Sequence, residues 1–279
     1  MILIADSGST KTDWTIVENE KVVKQISTQG INPFFQTQEE IATELEKNLL
    51  PELPNTNFEG IYFYGAGCIF DKINLVKEGI AKHLSAKEIV VNSDMLGAAH
   101  ALCGHKPGIA CILGTGSNSC EYDGSKIISN VSPLGFILGD EGSGAVLGKL
   151  FIGSLLKNQL TPGLKEEFLK EYNLEASDII HRVYKQAFPN RFLATLAPFI
   201  NKHRKDATVH KLVLASFTDF FVRNVKQYTY QDKKVNFIGS IAYYFKDIIV
   251  EAAQNTSVQI GNIVKSPMEG LIQYHLNKN

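Results

Sequence analysis

The sequence predicts an α/β protein of two domains, each built on a mixed β-sheet with flanking helices, with a cleft between them. Three observations predict it. The chain opens as short strands folded around the polar turn Asp6-Ser7-Gly8-Ser9-Thr10-Lys11-Thr12. After the Gly104–Gly108 break the pattern starts again, with Gly114-Thr115-Gly116-Ser117 at the matching turn. Beyond the first opening, apolar spacing alternates between strand and helix periods, and a long helical region follows the second. The halves resemble each other in order of elements and only weakly in residues, so the duplication is topological.

Taken in order, Ile2 to Asp6 is a short apolar strand, Asp13 to Val17 a second and Lys21 to Thr28 a third. Thr37 with Glu40 three residues on forms a capping box, behind which Ile41, Leu45 and Leu49 fall on one helical face. Gly60 to Tyr64 reads as a buried strand, and Ile73, Val76, Ile80 and Leu84 stripe a helix. Glu88 to Asn92 is a strand that leads into a helix from Met95 to Cys103. In the second module Ile109 to Leu113 and Asn118 to Tyr122 flank the turn. Asp123-Gly124 is a hairpin signal, and Lys126 to Val131 completes three strands. Residues 140–226 are helical, Val235 to Ile238 returns as a strand, and helices follow over 241–253 and 268–277. Residues 1–106, joined by the C-terminal helix 268–279, are expected to form one domain; residues 107–267, with a helical insertion, form the other.

Bulk composition narrows the function classes. The 279 residues are 44% hydrophobic and 20% charged, a globular mixture able to bury a core. The formal charge of -1 gives no electrostatic footprint for nucleic acid or an anionic membrane. Four cysteines (Cys68, Cys103, Cys111, Cys120) show no CxxC spacing and read as reduced, buried thiols. Met1-Ile2-Leu3-Ile4-Ala5 runs straight into the turn, with neither a signal peptide nor a membrane span visible, so the expected location is the cytoplasm. A homodimer is the base-rate expectation for assembly.

The two turns carry the chemistry. Small residues let backbone N–H groups approach a phosphate, and hydroxyls with Lys11 add donors. Asp6, at the strand end, could hold Mg²⁺ through water. The loop is not a Walker A motif, because a strand follows it and G-x-x-x-x-G-K-[ST] is absent. Read alone, either turn is as readily an ordinary polar hairpin; the pair raises phosphate binding above chance. Asp140, in Gly139-Asp140-Glu141-Gly142-Ser143-Gly144, is either a helix N-cap or a carboxylate gripping sugar hydroxyls. Asp94, between an apolar strand and a helix, is either an N-cap or a catalytic base. Gly142, Gly144 and Gly148 miss dinucleotide spacing and read as close helix packing. The seven histidines lack metal-ligand spacing, and Trp14 with Phe217, Phe220 and Phe221 reads as core.

Together, DSGSTKT, GTGSNS, GDEGS and the late Phe237-Ile238-Gly239-Ser240 resemble the N-acetylglucosamine kinase group. This group belongs to the BadF/BadG/BcrA/BcrD ATPase branch of the actin, Hsp70 and hexokinase superfamily. The resemblance spans nearly the whole chain and implies a two-domain actin-like ATPase (ribonuclease H-like) fold that uses ATP and Mg²⁺. It implies that Asp6 is associated with Mg²⁺, and that Gly8, Ser9, Thr10, Lys11 and Thr12 lie on the ATP phosphates. Gly114, Thr115, Gly116 and Ser117 resemble the second phosphate loop, and Gly239 with Ser240 the turn that meets adenosine. Asp94 falls where the family keeps its general base. Asn32, Thr115, Asn118 and Asp140 match sugar contacts.

The implied activity is transfer of the γ-phosphate to the 6-hydroxyl of an amino-sugar, with N-acetylglucosamine first. Glucosamine, N-acetylmuramic acid and N-acetylmannosamine are further candidates. Two departures stand out: Ser7 and Ser9 replace glycines common in relatives, and Leu134 stands near the position of a frequent tryptophan. A different class, the ATPase activators of 2-hydroxyacyl-CoA dehydratases, shares the fold and bridges an iron–sulfur cluster with cysteines. Cys111 and Cys120 flank the second turn here, but without a cluster motif. A sugar sensor without turnover is the third reading.

Overall fold

The computed structural model describes residues 1–8 and 10–277. Two five-stranded sheets organise the chain, and both have one topology. In the first, β1 (Ile2–Ser7), β2 (Lys11–Glu18), β3 (Lys21–Gln29), β4 (Asn57–Gly65) and β5 (Ser85–Ser93) run in the order β3-β2-β1-β4-β5. In the second, β6 (Gly108–Leu113), β7 (Ser117–Tyr122), β8 (Ile127–Ser129), β9 (Val235–Ile238) and β10 (Ile260–Val264) run β8-β7-β6-β9-β10. Each is an antiparallel three-strand meander whose first strand then pairs in parallel with a later one. This repeats the duplication read from the two turns. The actin-like α/β class is the one observed.

The chain divides into two compact units. Met1–Lys106 forms the first, with Gly124–Lys126 and the segment from Pro267 onward; Pro107–Asp123 with Ile127–Ser266 forms the second. In the first unit, α1 (Gln38–Glu44) and α2 (Lys72–Ala81) cover one sheet face. The Thr37–Glu40 capping box starts α1, and Ile41, Leu45 and Leu49 are fully buried as their spacing predicts. Trp14 and Phe63 sit in the same core. The other face is closed by α3 (Asp94–Cys103) and by the last helix of the chain, whose Met268, Leu271 and Ile272 pack on Ile4, Tyr62 and Tyr64.

The second unit carries α4 (Gly135–Leu138), α5 (Gly144–Leu156), α6 (Leu164–Tyr172), α7 (Ala176–Tyr184), α8 (Pro189–Ala194), α9 (Ala197–Lys202) and α10 (Ala207–Arg223). Then come α11 (Ser240–Tyr244) and α12 (Lys246–Thr256), and α13 (Met268–Leu276) is the helix already placed on the first unit. Phe217, Phe220 and Phe221 are buried in the second unit's core as expected. Strand β10 was not read from the sequence. Its Gly261 and Asn262 break both the alternation and the apolar run by which a strand is recognised.

Gly144 and Gly148 do serve close packing. At Gly148 a Cβ would stand 2.1 Å from the Leu193 carbonyl oxygen, so α5 touches the end of α8 backbone to backbone. Gly142 packs closely as well, a Cβ there standing 3.1 Å from the Phe217 ring of α10, and its φ of 73° adds a second role by supplying the left-handed conformation ahead of α5.

Gly148→Ala is expected to destabilise the protein by about 1–3 kcal/mol, because backbone atoms cannot move aside as side-chain ends do. Chemical denaturation measures this, with Gly153→Ala as the control, since a Cβ at Gly153 meets nothing within 4 Å. Equal midpoints would contradict the contact.

Candidate active site

In the first unit the candidate residues gather at one edge of the sheet. β1, β4 and β5 are parallel, and Asp6 on β1 is in register with Tyr64 on β4, which is in register with Asn92 on β5. β5 ends at Ser93 and Asp94 opens α3, so Asp6, near the end of β1, and Asp94, just past β5, lie toward the C-terminal ends of the two parallel strands that flank β4. Ser93, not Asp94, caps α3: its hydroxyl accepts from Leu96 N at 3.2 Å. The N-cap alternative for Asp94 is thereby corrected. Its Oδ1 accepts from Met95 N at 2.8 Å, and the carboxylate is half-buried.

Electrostatics couples these acids. Burial, then the charges of Asp94 and Asp13, push the Asp6 carboxyl up to about 7, with Lys11 opposing. Burial also raises Asp94, offset in part by the Met95 amide. Burial and the Asp94 charge push the Cys68 thiol up to about 12, which leaves it an inert core group.

The first turn hangs on hydroxyls beneath it. Ser7 Oγ and Thr12 Oγ1 are 2.7 Å apart and fully buried. Thr12 Oγ1 donates to Gln29 O at 3.1 Å, and Ile31 N donates to Ser7 Oγ at 3.0 Å. The Thr12 hydroxyl is therefore engaged inside the hairpin, while Gly8, Thr10 and Lys11 are exposed. Gly8 N closes the turn on Lys11 O at 3.0 Å, and Lys11 Nζ lies 2.7 Å from Asp13 Oδ2. Ser9 lies outside the described residues. Asn32 follows directly from the Ile31 anchor. Its Oδ1 accepts from Phe34 N at 3.0 Å and would stand 2.5 Å from a Cβ on Gly67, just past β4.

In the second unit, helix α5 grips the Gly114–Ser117 turn. Gly144 N donates to Gly114 O at 2.8 Å and Ala145 N to Thr115 O at 3.1 Å. Ser143 is the N-cap of α5, accepting from Val146 N at 3.2 Å, so the capping alternative for Asp140 is corrected too. Asp140 instead takes φ 55° and accepts from the Ser117 amide. Its Oδ2 lies 3.1 Å from where a Cβ on Gly116 would stand. Burial raises its carboxyl to about 6; the Ser117 amide and Lys149 oppose the rise, and the Glu141 charge adds to it. Asn118 Oδ1 accepts from Ser119 N and from Asn130 Nδ2, both at 2.9 Å.

Gly114, Thr115 and Ser240 line a cavity of about 440 Å³ with Pro198, Tyr244 and Phe245, and none of its lining residues is charged. Gly239 precedes it with φ 118°, where a Cβ would stand 2.3 Å from Leu113 O, a position only glycine fills. Small size, hydroxyls at one side and apolar walls suit a purine nucleoside.

The chain aligns over its whole length with the crystal structure of a provisionally named N-acetylglucosamine kinase from Porphyromonas gingivalis. Identity is 51%, the TM-score is 0.94, and 100% of this chain and 99% of that chain are covered. The chain belongs to the N-acetylglucosamine kinase-like family. A protein of the same provisional name from Chromobacterium violaceum matches at 15% identity and TM-score 0.76, covering 98% of each chain. A ROK-family glucokinase from Streptomyces griseus in complex with glucose and AMPPNP matches at 15% identity and TM-score 0.55, covering 98% of this chain and 97% of that one. Those two likenesses show the fold alone. No family profile and no curated protein matches the chain.

Within this kinase-like chain the cysteine reading resolves on geometry. Cys111 pairs with Ser119 and Cys120 with Ala110 across antiparallel strands, so the two thiols point to opposite faces of the sheet. Both are fully buried, which denies them a shared cluster. Sequence reasoning missed Pro198, Tyr244 and Phe245, whose apolar character reads as core, and Asn130, whose partner is 12 residues away. Among the described residues no helix is long and apolar enough to cross a membrane.

Because the folded Asp6 holds a proton that the unfolded chain releases, its contribution to stability falls as pH rises from about 4 to about 7. Asp6→Asn is expected to stabilise the metal-free protein at pH 8, on the order of 2 kcal/mol at this half-buried site. The gain should vanish toward pH 4. Thermal unfolding in chelator checks it; equal melting temperatures at pH 8 would contradict the coupling.

Proposed function

We propose that the protein is an ATP-dependent kinase that phosphorylates the 6-hydroxyl of an amino-sugar, with N-acetylglucosamine the first candidate. The observation that carries this reading is Asp94: a half-buried carboxylate at a strand's C-terminal end, relieved of capping by Ser93 and raised in basicity by burial. The full-length likeness to the Porphyromonas gingivalis protein supports it. The named complex of the Streptomyces griseus glucokinase pairs a sugar with an ATP analogue on the same fold.

In this reading Asp94 takes the proton of the sugar hydroxyl as its oxygen bonds to the γ-phosphorus, and the bond to the β–γ bridging oxygen breaks to release ADP. Thr10 and Lys11 of the first turn, and Thr115, Gly116 and the Ser117 hydroxyl of the second, supply amide, hydroxyl and ammonium donors to the phosphates, while Gly8 and Gly114, whose amides close their own turns, leave room for the phosphates to approach. Ser9 belongs to that loop by sequence, and Thr12 contributes by shaping the hairpin. Gly239 and Ser240 border the cavity assigned to adenosine. Asn32, Thr115, Asn118 and Asp140 hold the sugar, with Asp140 as acceptor for its hydroxyls.

Mg²⁺ suits the donor set. Among the described residues there is no cluster of three or more His, Cys, Asp or Glu side chains, and Mg²⁺ commonly relies on one or two carboxylates, waters and substrate phosphates. Asp6 would hold it, and the cation would neutralise phosphate charge as well as the Asp94 and Asp13 repulsion that adds to burial in raising Asp6.

A coupled ADP-release assay over a panel of amino-sugars is expected to show turnover with N-acetylglucosamine and a loss of ~10²–10⁴-fold in Asp94→Asn. No stimulation by any sugar, or an Asp94→Asn variant as active as wild type, would sink the assignment. Because Asp140 must be ionised to accept two hydroxyls, KM for the sugar should rise as pH falls through about 6, its raised pKa. An Asp140→Asn variant should bind weakly without that pH response. A response that persists in the variant would place the titration elsewhere.

A further inference from the structure

The carboxamide of Asn118 is oriented by groups whose own polarity cannot change. The backbone N–H of Ser119 donates to Asn118 Oδ1 at 2.9 Å. Asn130 Nδ2 donates to the same oxygen at 2.9 Å and to the Ser119 carbonyl at 2.6 Å. A backbone carbonyl is only an acceptor, so Asn130 must turn its NH₂ toward Ser119. That leaves an NH₂ hydrogen, not an oxygen, facing Asn118. Both lone pairs of Asn118 Oδ1 are then occupied, and its own NH₂ lies on the far side, where it finds no acceptor among the described residues.

Tyr228 holds this frame. Its buried hydroxyl donates to Ser119 O at 2.9 Å and accepts from Val131 N at 2.8 Å, tying together the two stretches that carry Asn118 and Asn130. All of these residues belong to the second unit. A flip of Asn118 would set N–H against N–H and a flip of Asn130 oxygen against oxygen, and either flip gives up two hydrogen bonds at once.

We propose that Asn130 is a positioning residue that locks Asn118 as a hydrogen-bond donor, so that this part of the sugar site accepts a ligand oxygen and rejects an ammonium group. The inference rests on the sugar-kinase reading and sharpens its substrate class. A carbonyl oxygen of an N-acyl group or a ring hydroxyl satisfies the Asn118 NH₂. A free amine, protonated at neutral pH, presents only hydrogens to it.

Two experiments test the inference. Asn130→Ala should raise KM for an N-acyl amino-sugar roughly five- to tenfold, with kcat and KM for ATP unchanged. In an Asn118→Ala background the same change should add nothing, because Asn130 acts through Asn118. Additive losses, or an unchanged sugar KM in a folded Asn130→Ala protein, would overturn it. Orientation is read without turnover from hydrogen exchange of the side-chain amides in nuclear magnetic resonance spectra. The Asn130 hydrogens should exchange slowly and those of Asn118 fast; equal rates would overturn the lock. If the exchange pattern holds while no sugar is phosphorylated, the kinase reading has failed and the donor lock has not.

Discussion

The first unit's functional edge depends on the buried hydroxyl pair of Ser7 and Thr12. These two side chains close the hairpin from below and bind the strand that returns past Gln29 and Ile31. With the pair in place, Asp6 is held at the strand end, Lys11 rides on the exposed side of the turn, and Asn32 follows its anchored neighbour. Ser7 is thus part of the frame. Its hydroxyl accepts from the buried Ile31 amide at 3.0 Å, beside the longer bond of that amide to Thr12 Oγ1 at 3.3 Å.

Against that frame the carboxylates are held at a cost. Asp6 and Asp94 are partly desolvated and raised together, a combination that destabilises a folded chain and that active sites commonly tolerate for reactivity. The second unit solves a different problem. Its turn must present amides outward, so its carbonyls are drawn the other way by the first amides of α5. The residues that precede α5 pass through left-handed conformations at Asp140 and Gly142, which frees the Asp140 side chain from capping and leaves that task to Ser143.

Much of this was legible in the residues. Turn composition and restart of the strand pattern are local signals, and they led to both meanders and to the duplication. The Thr37–Glu40 box and the Ile41, Leu45, Leu49 stripe are likewise local, and both formed as read. What escaped depended on distant partners. Strand β10 earns its place by pairing with β9, not by its own sequence, although the five-strand order of the first sheet implied a fifth strand in the second. The capping roles of Ser93 and Ser143 were masked by the neighbouring acids, since serine and aspartate are both strong N-caps and only dihedral angles choose between them. Asn130 and Tyr228 carried no signal at all, because a polar side chain after a strand and a tyrosine after a helix are ordinary until their partners are known.

The central claim is that this family member moves a phosphoryl group from ATP to a sugar oxygen. Phosphorus nuclear magnetic resonance of the reaction products tests it most directly, because it reports where the group has gone. The account predicts a phosphomonoester signal coupled to the two hydrogens on carbon 6 of N-acetylglucosamine, growing in step with ADP. Growth of inorganic phosphate in step with ADP, with no sugar phosphomonoester formed, would contradict it.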